Sequence, residues 1–211
     1  MNIVIVPFKN FKLAKSRLRN SFSDEITVGL VECMLKDVLT EVKKSTLPDK
    51  KFLLTMDDKA IELANEIGIS VIKEKIQISE SVSVDQASKD LAANGATSIL
   101  RLPGDIPLIK NQDIDNIIES FIKTGHSILV PSASGKGTNA ILRNPPEVIP
   151  SFFGANSLEK HIAALEKKSI KYSILRNENI ELDIDCAEDL KSLKSSAQSA
   201  NFTRKFLTDN C

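Results

Sequence analysis

Met1-Asn2-Ile3-Val4-Ile5-Val6 is an apolar run stopped by Pro7. After a polar loop comes Asp24-Glu25-Ile26-Thr27-Val28-Gly29-Leu30-Val31-Glu32-Cys33-Met34-Leu35-Lys36-Asp37-Val38-Leu39-Thr40-Glu41-Val42-Lys43-Lys44. The first run reads as a buried strand. In the second, Leu30, Val31, Met34, Leu35, Val38 and Val42 recur at spacings of three and four, the period of an amphipathic helix. Ser23 is placed to cap that helix, Asp24 and Glu25 suit its positive end, and Lys43-Lys44 its negative end. The same alternation continues along the chain. Lys51 to Thr55 reads as a strand, Asp58 to Ile67 as a helix stopped by Gly68, and Ile69 to Ile72 as a third strand. Ser83-Val84-Asp85-Gln86 has capping-box spacing, which predicts a helix over 84–94 ending at Asn94-Gly95. Thr97 to Leu102 reads as a strand. A helix after Asn111 carries the stripe Ile114, Ile117, Ile118, Phe121 and Ile122. Ser127 to Val130, Asn139 to Arg143 and Lys171 to Leu175 are further strands, with a helix from Leu158 to Lys168. A strand near Glu181 to Ile184 and a helix from Cys186 to Leu193 close the pattern. Strands alternating with helices predict an α/β fold, a mostly parallel sheet covered on both faces. The expected division is one domain over 1–195 and a polar C-terminal tail over 196–211, docked or free.

Length and composition narrow the function classes. The 211 residues suit one core. Lys+Arg and Asp+Glu both number 28, so no net field draws the chain to nucleic acid or to an anionic membrane. There is no Trp and a single Tyr, too few rings for a base-stacking platform. No apolar run reaches the ~20 residues of a membrane span, and no secretory leader pattern opens the chain. Cys33, Cys186 and Cys211 are too far apart for a disulfide framework or a zinc site. The expectation is a reduced, cytoplasmic, soluble protein acting on small molecules, without nucleic-acid or membrane partners. Strand edges, or Phe202 and Phe206 in the tail, could make a homodimer.

Parallel sheets bind ligands beyond the carboxyl ends of their strands, so the residues after each strand carry the functional argument. Pro7 to Arg17 holds Lys9, Lys12, Lys15 and Arg17 and no acid. Such a loop binds polyphosphate and stabilises a leaving anion, or is simply a solvated basic loop. In Leu102-Pro103-Gly104-Asp105-Ile106-Pro107-Leu108 an acid follows a strand, suited to holding a hard cation such as magnesium, or to an ordinary turn. Glu181-Leu182-Asp183-Ile184-Asp185 alternates, which sets Leu182 and Ile184 against the acids. Asp183 reads as a second metal ligand. Asp185 is either a third or a cap of the last helix, with Glu188 three residues on. Ser134-Gly135-Lys136-Gly137-Thr138-Asn139 lacks the Walker spacing and is an anion-binding loop or a hairpin turn. Ser157, after Phe153-Gly154-Ala155-Asn156, reads as a helix N-cap at a potential anion site. His161, one turn further, reads as a surface histidine.

Taken together, these stretches resemble the phospholactate guanylyltransferase family, which serves biosynthesis of the deazaflavin coenzyme F-420. The resemblance lies in Val6-Pro7-Phe8-Lys9 with Ala14-Lys15-Ser16-Arg17-Leu18, in Leu102 to Leu108, in Gly137-Thr138-Asn139-Ala140, in Phe153 to Ser157 and in Leu182 to Asp185, in the family's order. Ser81 to Ala87 departs from the Gly-Leu-Asn-Ala-Ala-like run of the family, and Gly104 stands where most relatives have Ala. The resemblance implies a single-domain, glycosyltransferase-A-like nucleotidyltransferase sandwich around a mixed, mostly parallel sheet. It implies GTP and Mg2+, and an acceptor that is 2-phospho-L-lactate, phosphoenolpyruvate or 3-phospho-D-glycerate. By position, Pro7, Lys9, Lys15, Arg17 and Ser83 would meet the nucleotide. Lys15, Arg17 and Asp105 would be catalytic, Asp105, Asp183 and Asp185 would hold the metal, and Thr138, Asn139, Gly154 and Ser157 would hold the acceptor. Two alternatives stand beside it: a cytidylyl- or molybdopterin-type nucleotidyltransferase, and a non-catalytic nucleotide-binding regulatory module.

Overall fold

A computed structural model describes residues 1–12, 14–195 and 200–210. Leu13, residues 196–199 and Cys211 lie outside the described residues. Seven strands form one mixed sheet: β1 (Asn2–Pro7), β2 (Lys50–Thr55), β3 (Ser70–Lys73), β4 (Ser98–Arg101), β5 (Ser127–Pro131), β6 (Thr138–Arg143) and β7 (Tyr172–Ile174). Their spatial order is β3-β2-β1-β4-β6-β5-β7. Strand β6 runs antiparallel to β4 and β5, and the other pairings are parallel. The helices are α1 (Asp24–Lys44), α2 (Asp58–Ile67), α3 (Glu80–Ala93), α4 (Asn111–Thr124), α5 (Ser157–Lys167), α6 (Glu178–Glu181), α7 (Ala187–Ser195) and α8 (Asn201–Asn210).

Both sheet faces are covered, as continuous apolar strands require. Val4, Val6, Leu100 and Leu142 point into a core shared with Leu30, Met34, Leu35 and Val38 of α1 and Ile114, Ile117 and Ile118 of α4. Ile3, Ile5 and Ile99 alternate to the other face, against Val84 and Ala87 of α3. Leu129 and Ile141 on that face meet Leu165 of α5. The end signals hold: the Ser23 hydroxyl accepts the Ile26 N–H at 3.3 Å, and Gly68 takes the left-handed conformation with φ 81° after α2.

Three expectations are corrected. Helix α3 starts at Glu80, capped by Ser79, so Ser83 and Asp85 lie inside it. Both serines have cap chemistry, and Ser79 prevails because Val84 and Ala87 are then buried against β1. No strand forms over 181–184. Asn177 caps the short helix α6 instead, accepting the N–H groups of Asn179 and Ile180. Asp113 of α4 fixes that helix by accepting from the side-chain amides of Asn177 and Asn179, each at 2.8 Å. Ile122 is 60% exposed rather than part of the α4 stripe.

The polar C-terminal segment, expected to be docked or free, contains α8, packed on α1. Asp37 accepts the N–H groups of Phe202 and Thr203 at 3.1 and 2.9 Å and the Thr203 hydroxyl at 2.6 Å. These are first-turn donors that a helix leaves unpaired. Leu207 joins the main core. The Lys36 ammonium lies 4.6 Å from the Phe202 ring centroid, and the Phe206 ring sits where a β-carbon on Gly29 would come within 2.6 Å. Both rings therefore lie against α1 of their own chain. Ala normally gains about 1 kcal/mol over Gly inside a helix. Gly29→Ala is expected to lower the unfolding free energy in the wild type and to raise it by about 1 kcal/mol in a Phe206→Ala background. Urea denaturation of the four proteins checks this.

Candidate active site

The chain steps from β1 outward to β2 and β3, then returns to the other side of β1 with β4. A crevice opens at such a switch point, beyond the carboxyl ends of the two strands. Their loops, 8–22 and 102–110, meet there. Because β6 is antiparallel, its first residues, Thr138 and Asn139, lie at the same edge. Together these segments line a cavity of about 570 Å³ that includes Arg17, Arg101, Asp105, Thr138, Gly154, Ser157, Asp183 and Asp185. A smaller cavity of about 140 Å³ adjoins it and is lined by Pro7, Lys9, Lys15 and Asp105 among others.

Apolar anchors and one arginine fasten the first loop. Phe11 and Leu18 are buried, and the Phe8 and Phe11 rings pack with centroids 4.5 Å apart. Arg19, which sequence reading did not single out, donates to the carbonyls of Ala14 and Phe11, both at 3.2 Å. Its only signal was a cation directly after Leu18. The loop puts Lys15 at φ 58°, a left-handed conformation that is costly for a side chain of this size. The Lys15 ammonium lies between the carboxylates of Asp105 and Asp185 and bonds to both. Lys9 and Arg17 are exposed and have no acceptor among the described residues.

The acids converge because the Ile184 N–H donates to the Asp105 carbonyl at 3.0 Å. Upstream, Glu181 turns away to pair with Arg176 at 2.6 Å, so it does not join Asp183 and Asp185. The Asn139 side-chain amide donates to the carbonyls of Ile180 and Glu181 and to the Asp183 carboxylate at 2.9, 3.0 and 3.1 Å. Asn139 thus positions the acid-bearing segment, and it also lines the cavity in which the acceptor contact was expected. Asp189, not Asp185, serves the start of α7, accepting the N–H groups of Asp185 and Cys186. That leaves the Asp185 carboxylate for Lys15.

The electrostatics follow from this crowding. Burial and then the charge of Asp105 push Asp183 above the usual carboxylate range, against the Asn139 bond. Burial also opposes ionisation of Asp185, but Lys15 outweighs it and holds that group low. Lys15 loses solvation by burial, yet Asp105 and Asp185 more than compensate, and its pKa is raised. Among the described residues no three His, Cys, Asp or Glu side chains form a ready metal cluster. Asp185, read as either a third ligand or a helix cap, is ion-paired with Lys15, as Asp105 is. Asp105 and Asp183 do fit a hard cation: one Asp105 carboxylate oxygen is buried with no hydrogen-bond partner among the described residues, and the charge of Asp105 disfavours ionisation of Asp183.

On the other wall, Asn156 occupies the N-cap position of α5 with φ 55°, so Ser157 is the first helical residue and not the cap. The Ser157 hydroxyl accepts the Thr138 N–H at 2.7 Å, and the Thr138 hydroxyl meets His161 Nδ1 at 3.0 Å. His161 is fully buried, contrary to the surface position expected. Its Nε2 accepts the Phe152 N–H at 3.0 Å, and both Phe152 and Phe153 pack against its ring. A histidine on the inner face of α5 therefore braces the loop that carries Gly154. The 132–137 segment is the turn of the β5–β6 hairpin, closed by the Ser132 N–H to the Gly137 carbonyl at 3.0 Å. Ser83 lies outside this cavity. It lines a separate groove of about 420 Å³ with Leu54, Ile72 and Val82, and its buried hydroxyl has no partner.

The sequence profile of the family described as "Guanylyl transferase CofC like" matches residues 1–209. The chain belongs to this family. Among curated relatives, the phosphoenolpyruvate guanylyltransferase of Conexibacter woesei is 28% identical over 90% of this chain and 86% of its own. The 2-phospho-L-lactate guanylyltransferase of Methanobrevibacter smithii is 29% identical over 97% and 88%. Solved structures share the fold. A putative nucleotide-diphospho-sugar transferase from Desulfovibrio desulfuricans G20 superposes with a TM-score of 0.81 at 14% identity, covering 99% of this chain and 94% of that one. A nucleotidyl transferase from Methanothermobacter gives 0.61 at 14% identity, covering 100% and 99%. The protein is a nucleotidyltransferase enzyme, a guanylyltransferase of this family.

Burial, with the charges of Arg143 and Arg101, pushes the His161 pKa down to about 4. The unfolded chain, with an ordinary pKa of about 6.5, therefore binds more protons between those values, and stability rises with pH there. Lowering the pH from 7 to 4 is expected to remove about 3 kcal/mol through this group. His161→Gln should be less stable than the wild type at pH 7, with the gap closing towards pH 4. Denaturant titrations at several pH values measure it.

Proposed function

We propose that the chain transfers GMP from GTP to the phosphate of a three-carbon phospho-acid: 2-phospho-L-lactate, phosphoenolpyruvate or 3-phospho-D-glycerate. A phosphate oxygen of the acceptor attacks the α-phosphorus of GTP, the new P–O bond forms, and the bond to the β-phosphate oxygen breaks. Pyrophosphate leaves with the electron pair. The acceptor phosphate is already an anion near neutral pH, so no general base is needed. The reaction belongs in assembly of the deazaflavin coenzyme F-420, as the family resemblance implies, and runs in the cytoplasm.

The observation that carries this reading is the Asp105 carboxylate at the end of β4, with one oxygen buried and unpartnered, beside Asp183 and Lys15. Asp105 and Asp183 are the residues that would hold Mg2+, which when bound supplies positive charge against phosphate oxygens. Lys9, Lys15 and Arg17 receive the triphosphate, and Lys15 and Arg17 stabilise the departing pyrophosphate. Pro7 lines the smaller cavity on the nucleotide side, whereas Ser83 lies in the separate groove. Thr138, Gly154 and Ser157 form the acceptor wall, with Asn139 behind Asp183. Phosphoenolpyruvate and 2-phospho-L-lactate as acceptors are supported by the names of the two relatives above. Among the described residues no helix is long and apolar enough to cross a membrane.

The test is pyrophosphate release with magnesium, pairing GTP, ATP and CTP with each of the three acceptors. Release with GTP and one acceptor establishes the reaction and names its substrate. Silence across every pair from folded protein overturns it in favour of a binding module. Asp105→Asn and Asp183→Asn are expected to keep the far-ultraviolet circular dichroism of the wild type while turnover falls by orders of magnitude. Near-normal turnover in either variant removes that residue from the site.

A further inference from the structure

The acceptor proposed above carries two charged groups, and Thr138, Gly154 and Ser157 carry none. The N–H and hydroxyl of Thr138 are moreover engaged by Ser157 and His161. A positioned cation would hold a carboxylate entering this cavity more strongly than neutral donors alone. Arg17, Lys136 and Arg101 line it. The first two are exposed, whereas the Arg101 side chain is 7% exposed.

Arg101 is the last residue of β4 and lines both the main cavity and the adjoining one. Its guanidinium carbon lies 4.1 Å from the Phe153 ring centroid, which fixes the plane of the fork. One terminal nitrogen donates to the Asn139 carbonyl at 2.9 Å, and the other bonds to Glu80. The Nε is buried with no acceptor among the described residues. An orphaned buried donor is costly, and this one belongs to a side chain that lines both cavities.

Arg143, which pairs with Ile99 across the β4–β6 ladder, offers the contrast. It is bound by Asp85, Ser88 and the Ile149 carbonyl, and Asp85 is itself fixed by the Ser151 N–H and hydroxyl. Glu80 is different. It sits in the first turn of α3 with its side chain 39% exposed, and its carboxylate has no hydrogen-bond partner among the described residues besides Arg101.

We infer that Arg101 receives the carboxylate of the acceptor, and that Glu80 is the exchangeable counter-ion which the acceptor displaces. The inference rests on the phospho-acid reading above and names the group that reads the acid. Exchange of one carboxylate for another keeps the buried guanidinium compensated throughout, whereas losing Glu80 without replacement would strand its charge. Glu80 can turn to water because its side chain is already partly exposed. The bond to Asn139 and the stack on Phe153 hold Arg101 in place meanwhile.

The test uses the full chain, GTP, and whichever acceptor supports pyrophosphate release, compared with propyl phosphate, which lacks the carboxylate. The wild type should prefer the phospho-acid by roughly 10- to 100-fold in kcat/KM, the range of a charge-assisted bond. Arg101→Gln should lose that preference and raise the acceptor KM while the KM for GTP stays unchanged. Glu80→Gln, at a partly exposed position that tolerates substitution, should lower the acceptor KM by removing the competitor. An Arg101→Gln enzyme that keeps the preference overturns the inference, and a raised acceptor KM in Glu80→Gln overturns the exchange. If Arg101→Gln does not fold, Glu80→Gln with the two ligands decides alone. A wild type silent with GTP and every acceptor overturns the guanylyltransferase reading itself, and this inference with it.

Discussion

Like charges that the fold forces together need a cation, and the site is organised around that need. The bond from the Ile184 N–H to the Asp105 carbonyl joins the end of β4 to the segment bearing Asp183 and Asp185. The resulting crowding is visible in Asp183, raised by burial and then by its neighbour Asp105. Lys15 answers it by bridging Asp105 and Asp185. The left-handed backbone at Lys15 is sustained by this arrangement: a strain of about 1–3 kcal/mol persists only where surrounding contacts over-determine it. Arg19, Phe11 and Leu18 supply the remaining constraints on the loop.

The sheet divides the labour of the site. Strands β3-β2-β1-β4 are parallel and present the basic loop and Asp105 at one edge. Strand β6 enters antiparallel between β4 and β5, so its start, and not its end, reaches that edge. A fully parallel sheet would have put Thr138 and Asn139 at the opposite end. The reversal gives the cavity a second wall made of the hairpin turn and the start of α5, and Arg101 stands on the seam between the two walls.

Local chemistry was legible where one signal decided it. Ser23 and Gly68 end their helices as read, and the 3.6-residue period of α1 marked its buried face. Where two local signals competed, tertiary packing chose. Ser79 and Ser83 both have cap chemistry, and burial of Val84 and Ala87 selected Ser79. Leu182 and Ile184 alternate as in a strand, but Asp113, 64 positions from Asn177 and 66 from Asn179, tethers the preceding residues as a helix. Likewise Arg101 and Glu80 are 21 positions apart. No periodicity links them, so neither was legible as part of the site. His161 lies on the inner face of α5 because Thr138 and Phe152 supply partners that no local pattern announces.

Helix α3 shows how one element can hold a rigid contact and a yielding one. Three of its side chains brace the cavity wall that carries Phe153 and Gly154. Asp85 ties Arg143 to Ser151, Ser88 adds a second bond to Arg143, and the Ser81 hydroxyl accepts the Phe153 N–H at 3.1 Å. With His161 on the other side, the loop carrying Gly154 is fixed from two directions, so the Phe153 ring is in place before any ligand arrives. Glu80, at the tip of the same helix, has none of this reinforcement. A buried charge pair braced on both members gives geometry, and one braced on a single member leaves the other free to exchange. The rigid Arg143–Asp85 pair is thus what allows the Arg101–Glu80 pair to open without disturbing the wall around it.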